Sequence, residues 1–132
     1  MGQVSVRYIV DDVATAIDFY CGQLGFQELM HPAPSFAIVV REDLRLLLSA
    51  ASREPGGGQI MADGSVPVPG GWNRISLQVA SLEPMVARLR GAGVRFRNEI
   101  VEGVGGRQIL IEDPSGNPIE LFEPVLAEAR NG

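Results

Sequence analysis

Val4-Ser5-Val6-Arg7-Tyr8-Ile9-Val10-Asp11-Asp12-Val13 is the stretch whose reading decides the fold, because Asn73-Arg74-Ile75-Ser76-Leu77-Gln78-Val79-Ala80-Ser81-Leu82 repeats it. A shift of 69 residues lays Val6, Tyr8 and Val10 on Ile75, Leu77 and Val79, and it lays Asp12 and Val13 on Ser81 and Leu82. In the first copy Val4, Val6, Tyr8 and Val10 share one face of an extended chain while Ser5, Arg7 and Ile9 share the other, the pattern of a half-buried strand. A helix is expected next, with Asp12 accepting the orphan N–H groups of its first turn and Val13, Ile17, Tyr20 and Leu24 forming an apolar stripe. The second copy repeats this with Ser81 as cap and Leu82, Val86 and Leu89 as stripe, and its helix is expected to stop at Gly91 and Gly93.

Beyond each helix the apolar pattern turns back to strands, over residues 26–30, 36–40 and 44–48 in the first half and 94–98, 108–112 and 118–123 in the second. Each half therefore reads β-α-β-β-β. The last pair flanks Asp113-Pro114-Ser115-Gly116-Asn117, where Pro presets φ and Gly and Asn tolerate positive φ, so a hairpin is expected there. Residues 51–71 hold six Gly and three Pro, too broken for an element and long enough to connect two modules. The fold class is α+β: one domain over 1–132, with module one at 1–50, a linker at 51–71, module two at 72–124 and a C-terminal tail at 125–132. A four-stranded sheet with one helix leaves one face uncovered, so two copies are expected to form a curved mixed sheet around a concave cup. Parity lines that cup with Ser5, Arg7 and Ile9, with Arg74, Ser76 and Gln78, and with Pro118, Glu120 and Phe122.

Composition narrows the function. The 132 residues fit one domain, and 45% hydrophobic with 20% charged residues is a globular balance. A net charge of −5 argues against nucleic acid and anionic membrane as partners. All eleven cationic side chains are Arg, which excludes lysine Schiff-base chemistry. Cys21 is alone, so no disulfide closes within the chain. It reads as a packing thiol, and a reducing cytoplasm fits. No export signal opens the sequence, the segment from Gly2 to Val6 misses a myristoylation motif, and no apolar run is long enough to span a membrane.

The runs Asp12-Val13-Ala14-Thr15-Ala16-Ile17-Asp18-Phe19-Tyr20 with Leu24-Gly25-Phe26, and Asp113-Pro114-Ser115-Gly116-Asn117-Pro118-Ile119-Glu120-Leu121-Phe122, resemble the vicinal oxygen chelate superfamily, the glyoxalase, bleomycin-resistance and extradiol-dioxygenase group. The resemblance spans residues 4–124 and implies paired β-α-β-β-β modules, usually in a homodimer. It also implies a divalent metal held by side chains on the first and last strands of each module, which here fall on Ser5, a residue within 46–48, Arg74 and Glu120. Of these only Glu120 is a good ligand, and a permanent guanidinium beside it repels a cation, so no catalytic metal and no cofactor are expected. His31, the single histidine, reads as an exposed loop residue next to Pro32.

Arg74 and Glu120 are then expected to form a bidentate pair that either fixes the strands or binds a ligand. Arg7 has no evident partner in the sequence, and facing inward it would favour a carboxylate or phenolate on a flat ligand. Trp72 reads as a stacking residue at the cup's rim or an edge residue, Phe36 and Phe122 as strand residues with Phe122 sharing the parity of Glu120, and Tyr20 as core. Gly103-Val104-Gly105-Gly106-Arg107 lacks the Lys-Ser/Thr of a P-loop and reads as a flexible strand connection. Glu112, with Glu120, flanks the terminal hairpin and reads as readily as a solvated strand residue. The foremost function is metal-independent binding of a small planar, partly polar molecule, with Ser5, Arg7, Trp72, Arg74, Ser76, Gln78 and Phe122 as ligand-binding residues. One alternative is a lyase, isomerase or dioxygenase using Glu120 as catalytic base or residual metal ligand, and another is a structural dimer with a collapsed cup. Whether a reaction is catalysed stays open at this point.

Overall fold

Alternation and helical stripe produce the elements they foretell in a computed structural model that describes residues 4–125. The N-terminal tripeptide and tail residues 126–132, on which the readings of leader and tail partly rest, lie outside the described residues. In chain order the elements are β1 (Val4–Val10), α1 (Val13–Leu24), β2 (Gln27–Ala33), β3 (Phe36–Arg41), β4 (Leu44–Ala50), β5 (Ile75–Gln78), α2 (Leu82–Gly91), β6 (Arg95–Phe96), β7 (Val101–Gly103), β8 (Gly106–Glu112) and β9 (Pro118–Pro124). They form two mixed sheets of an α+β fold, ordered β1-β4-β3-β2 and β5-β9-β8-β6, with β7 pairing on β8. β1 runs parallel to β4 and β5 parallel to β9, while the other pairs are antiparallel. The chain divides into two units, Met1–Gly70 with Pro114–Asn117, and Gly71–Asp113 with Pro118–Gly132.

In the first unit α1 lies on β2, β3 and β4 and buries Val13, Ala16, Ile17, Tyr20 and Leu24, and Tyr8, Val10, Val39, Leu46 and Leu48 are buried in the sheet beneath. Each such fully buried aliphatic side chain contributes about 1.5–3 kcal/mol relative to exposure. Tyr20 is fully buried and meets Phe26 edge to face at 5.4 Å. The helix ends at Gly25, whose φ of 74° is the left-handed cap that a Cβ would strain. The Asp113–Asn117 segment reverses the chain as expected, and residues 114–117 belong to the first unit. There the buried Asn117 amide donates to the Ile9 carbonyl at 2.7 Å and accepts from the Gly70 N–H at 2.8 Å, and the Ser115 hydroxyl accepts from the Asp11 N–H at 2.8 Å.

In the second unit α2 buries Leu82, Val86 and Leu89, and β5, β8 and β9 contribute Ile75, Leu77, Ile109, Ile111, Ile119 and Leu121 to the same core. Ser76 and Gln78 alternate with the buried Ile75 and Leu77 and stay exposed.

Several local expectations are corrected. Asp12 and Ser81 occupy the N-cap positions, yet neither side chain caps its helix. Asp12 Oδ2 instead accepts from the Thr15 hydroxyl at 2.6 Å, and the Leu82 N–H donates to Glu123 Oε2 on β9 at 3.1 Å. The strand expected over 94–98 shrinks to β6, because Asn98 Oδ1 takes the Leu110 N–H at 2.9 Å where a ladder carbonyl would stand. The Gly103–Gly106 connection between strands is a tight one: Gly103 pairs with Gly106 and closes a β7–β8 hairpin, adding a strand to module two. His31 stands in β2 rather than a loop. That strand shifts register around Met30, which accommodates Pro32 at a sheet edge.

Candidate functional site

The site is built on β5 and β9, whose parallel register sets Ser76 beside Glu120 and Gln78 beside Phe122, on the sheet face opposite the α2 core. Arg74, two residues before Ser76, has the parity to reach the same carboxylate. Its Nε and Nη2 donate to Glu120 Oε1 at 3.2 and 3.0 Å, and the Ser76 hydroxyl donates to Oε2 at 2.9 Å. Both carboxylate oxygens are thus engaged. The Glu120 side chain is 14% exposed and that of Arg74 29%, so the pair sits at the boundary of the sheet with solvent. Charge-assisted bonds in such a position are stronger than those of a fully hydrated pair.

A second ion cluster shares the face. Arg97 Nε donates to Glu112 Oε2 at 2.8 Å, Arg97 Nη1 donates to the Gly71 carbonyl at 2.8 Å, and Arg95 approaches Glu112 at 3.5 Å. The Arg97 guanidinium lies 4.7 Å over the Trp72 ring, and Arg74 Nη1 reaches the Trp72 carbonyl at 3.4 Å. Two guanidinium groups therefore hold the Gly71-Trp72 segment while the indole remains 69% exposed. Gln78 borders a shallow cleft of ≈ 300 Å³ with Val79, Ala80 and Pro124.

On the α2 side, Arg107 bridges Glu83 and Glu123, with Nη1 donating to Glu83 Oε2 at 2.6 Å and Nε donating to Glu123 Oε1 at 2.8 Å. The hydrogen bonds from Arg107 hold the Glu83 carboxyl down at about 2 and raise the Arg107 guanidinium. This triad fastens the start of α2 to β8 and β9.

Of the residues expected from the sequence, Arg74, Ser76 and Glu120 meet directly, and Trp72, Gln78 and Phe122 stand on the same unit. Ser5 and Arg7 lie exposed on β1 of the first unit. Sequence alone does not single out Arg97, and it leaves Glu112 open between pairing with Glu120 and a solvated strand position; in the structure Glu112 pairs with Arg97 and Arg95. The signal was the parity of Arg95 and Arg97 with Glu112 across an antiparallel pair.

The metal implied by the resemblance does not fit these residues. Ser5 is a lone hydroxyl, Leu46, Leu47 and Leu48 offer no donor, and the Glu120 oxygens already receive a guanidinium and a hydroxyl. Among the described residues no three His, Cys, Asp or Glu side chains gather to hold an ion. Cys21 is half-buried, and burial followed by the nearby Glu28 and Asp18 charges pushes its thiol up, away from the reactive thiolate.

Comparison with known proteins places the fold among relatives. The family described as Glyoxalase/Bleomycin resistance protein/Dioxygenase superfamily matches residues 2–121. The antibiotic binding protein TnmS3 from Streptomyces sp. CB03234 shares 25% identity at a TM-score of 0.70, covering 94% of this chain and 96% of its own. A superfamily member from Sphaerobacter thermophilus DSM 20745 shares 28% identity at a TM-score of 0.71, covering 93% and 97%. The fosfomycin resistance protein FosX from Listeria monocytogenes, at 19% identity, a TM-score of 0.70 and 97% coverage of both chains, is alike in fold. No curated protein matches the sequence.

Proposed function

Because the chain belongs to the glyoxalase/bleomycin resistance protein/dioxygenase superfamily, we propose that it binds a small planar, partly polar organic molecule on the Arg74, Ser76, Glu120 face, without a metal ion. The observation that carries this is the closed Arg74–Glu120–Ser76 arrangement, in which a guanidinium occupies the carboxylate that a Lewis-acid site would need. The likeness to an antibiotic binding protein supports a binding role. The molecule would stack on the exposed Trp72 ring, hydrogen-bond to the outward donors of Arg74 and to Gln78, and rest against Phe122. Ser5 and Arg7 serve the corresponding face of module one. The alternative in which Glu120 is a general base requires the carboxylate first to shed one of its donors, so the pairing favours binding over catalysis. The same reading makes the protein a cytoplasmic homodimer, and a sedimentation mass of 14.2 kDa at micromolar concentration would remove that part of it.

Trp72 is the single tryptophan, so its emission reports on this face alone. Titrating planar antibiotics and aromatic acids should quench or shift that emission, and a ligand at ~100 times its Kd should add about 2.7 kcal/mol of stability. Arg74→Met and Gln78→Ala should weaken the response in a folded protein. Stoichiometric zinc, manganese, nickel or iron retained after dialysis and displaced by Glu120→Gln would overturn metal-independent binding.

A further inference from the structure

A second cleft, of ≈ 370 Å³, lies apart from the Arg74 face and is lined by Asp12, Ala14, His31, Pro32, Ala33 and Pro34. Its walls are the start of α1, the end of β2 and the turn into β3, so it opens on the helix-bearing side of the first sheet, and all its residues belong to the first unit. Two polar side chains border it. Asp12 Oδ2 accepts from the Thr15 hydroxyl at 2.6 Å, and this carboxylate caps no helix N–H and pairs with no cation among the described residues. His31, exposed near the end of β2, makes no hydrogen bond and no ion pair among them either.

The rest of the wall is apolar and poor in donors. Ala14, Ala33 and the two prolines carry no polar side-chain group, and Pro32 and Pro34 have no backbone N–H, so over residues 32–34 three carbonyls stand against a single amide. No arginine lines the cleft, and the first unit holds four Arg against eight Asp and Glu, so most of the chain's net charge of −5 is carried here. The positive end of α1 offsets about half a charge and leaves the Asp12 carboxylate in excess. Such a wall disfavours an anion and suits a cation that donates several hydrogen bonds at once. From this juxtaposition we propose that the cleft between α1 and β2 binds a small organic ammonium ion, its N–H groups donating to the Asp12 carboxylate and the His31 imidazole and its apolar body resting on Ala14, Pro32 and Pro34. The site uses none of the residues of the Arg74 face and does not depend on it.

The test is a titration of the full ¹⁵N-labelled chain with 2-phenylethylamine at pH 8, where the amine is charged, read from backbone amides. Saturable shifts are expected at Asp12, Ala14, His31 and Ala33, and the neutral 2-phenylethanol should bind there about tenfold more weakly. Asp12→Asn keeps an oxygen for the Thr15 hydroxyl and should weaken amine binding about tenfold with spectral dispersion intact. His31→Ala should weaken it several-fold, and its exposed position supplies a second reading should the Asp12 variant unfold. Arg74→Met should leave these shifts unchanged, so failure of the Arg74 face and failure of this cleft are told apart. The proposal is overturned if the amine leaves the four amides unmoved, if a folded Asp12→Asn or His31→Ala binds it as well as the wild type, or if 2-phenylethanol or phenylacetate shifts the same amides at equal concentration.

Discussion

Replacing Arg74 by Met keeps the aliphatic stem and removes the guanidinium, leaving the Glu120 carboxylate, 14% exposed, with only the Ser76 hydroxyl as donor. The two lost bonds of 3.2 and 3.0 Å are charge-assisted and converge on one oxygen. A hydrated surface pair contributes about 0.2–1 kcal/mol, and stranding a fully buried partner costs about 3–5 kcal/mol. This pair lies between those limits, so Arg74→Met should cost about 1.5–2 kcal/mol. For a chain of this size that lowers Tm by roughly 5–7 °C. Glu120→Gln should cost less, about 1 kcal/mol, because Arg74 is the more exposed partner and water can replace the carboxylate. Urea unfolding of the wild type, both single variants and the double variant gives the coupling energy directly, and about 1 kcal/mol is expected. Three stabilities within about 0.3 kcal/mol of the wild type and no coupling would refute the reasoning, since the two groups would then be hydrated independently in solution.

Other consequences are measurable with the same protein. Asn117→Ala strands the Ile9 carbonyl and the Gly70 N–H and should lower stability by about 1–3 kcal/mol in urea. Glu83, with its folded pKa depressed to about 2 from 4.5, adds stability that is fully present above pH 4.5 and is lost as pH falls toward 2; the urea midpoint of Glu83→Gln should therefore lie below that of the wild type at pH 7 and converge on it near pH 2. Gly106→Ala drives a Cβ into the Glu123 carbonyl and to 2.9 Å from the Phe122 ring, so far-UV circular dichroism should show lost strand content or the variant should unfold at least ~3 kcal/mol more easily.

What the sequence determined by itself is the modular architecture, since the 69-residue repeat, the strand alternation and the helical stripes follow from local periodicity that any packed solution must respect. The Arg74–Glu120 pair was legible too, because strand parity and the resemblance place both residues at corresponding positions. Tertiary structure decided what local pattern leaves degenerate. A capping residue such as Asp12 or Ser81 has the right chemistry, but which acceptor reaches an orphan N–H depends on distant chain, and Glu123 on β9 supplies it for Leu82. Glycines in the 51–71 stretch look like mere flexibility in one dimension; in three dimensions Gly57 takes φ of 92°, a Cβ on Gly58 would run into the Ala50 carbonyl, and the Gly56 carbonyl accepts from the Ser49 hydroxyl. The shortening of β6 by the Asn98 side chain and the Arg97–Trp72 stack likewise depend on which strands are neighbours. Periodicity is a property of one segment, whereas the partners of a hydrogen bond or a guanidinium are a property of two, and only the folded chain brings the second one into reach.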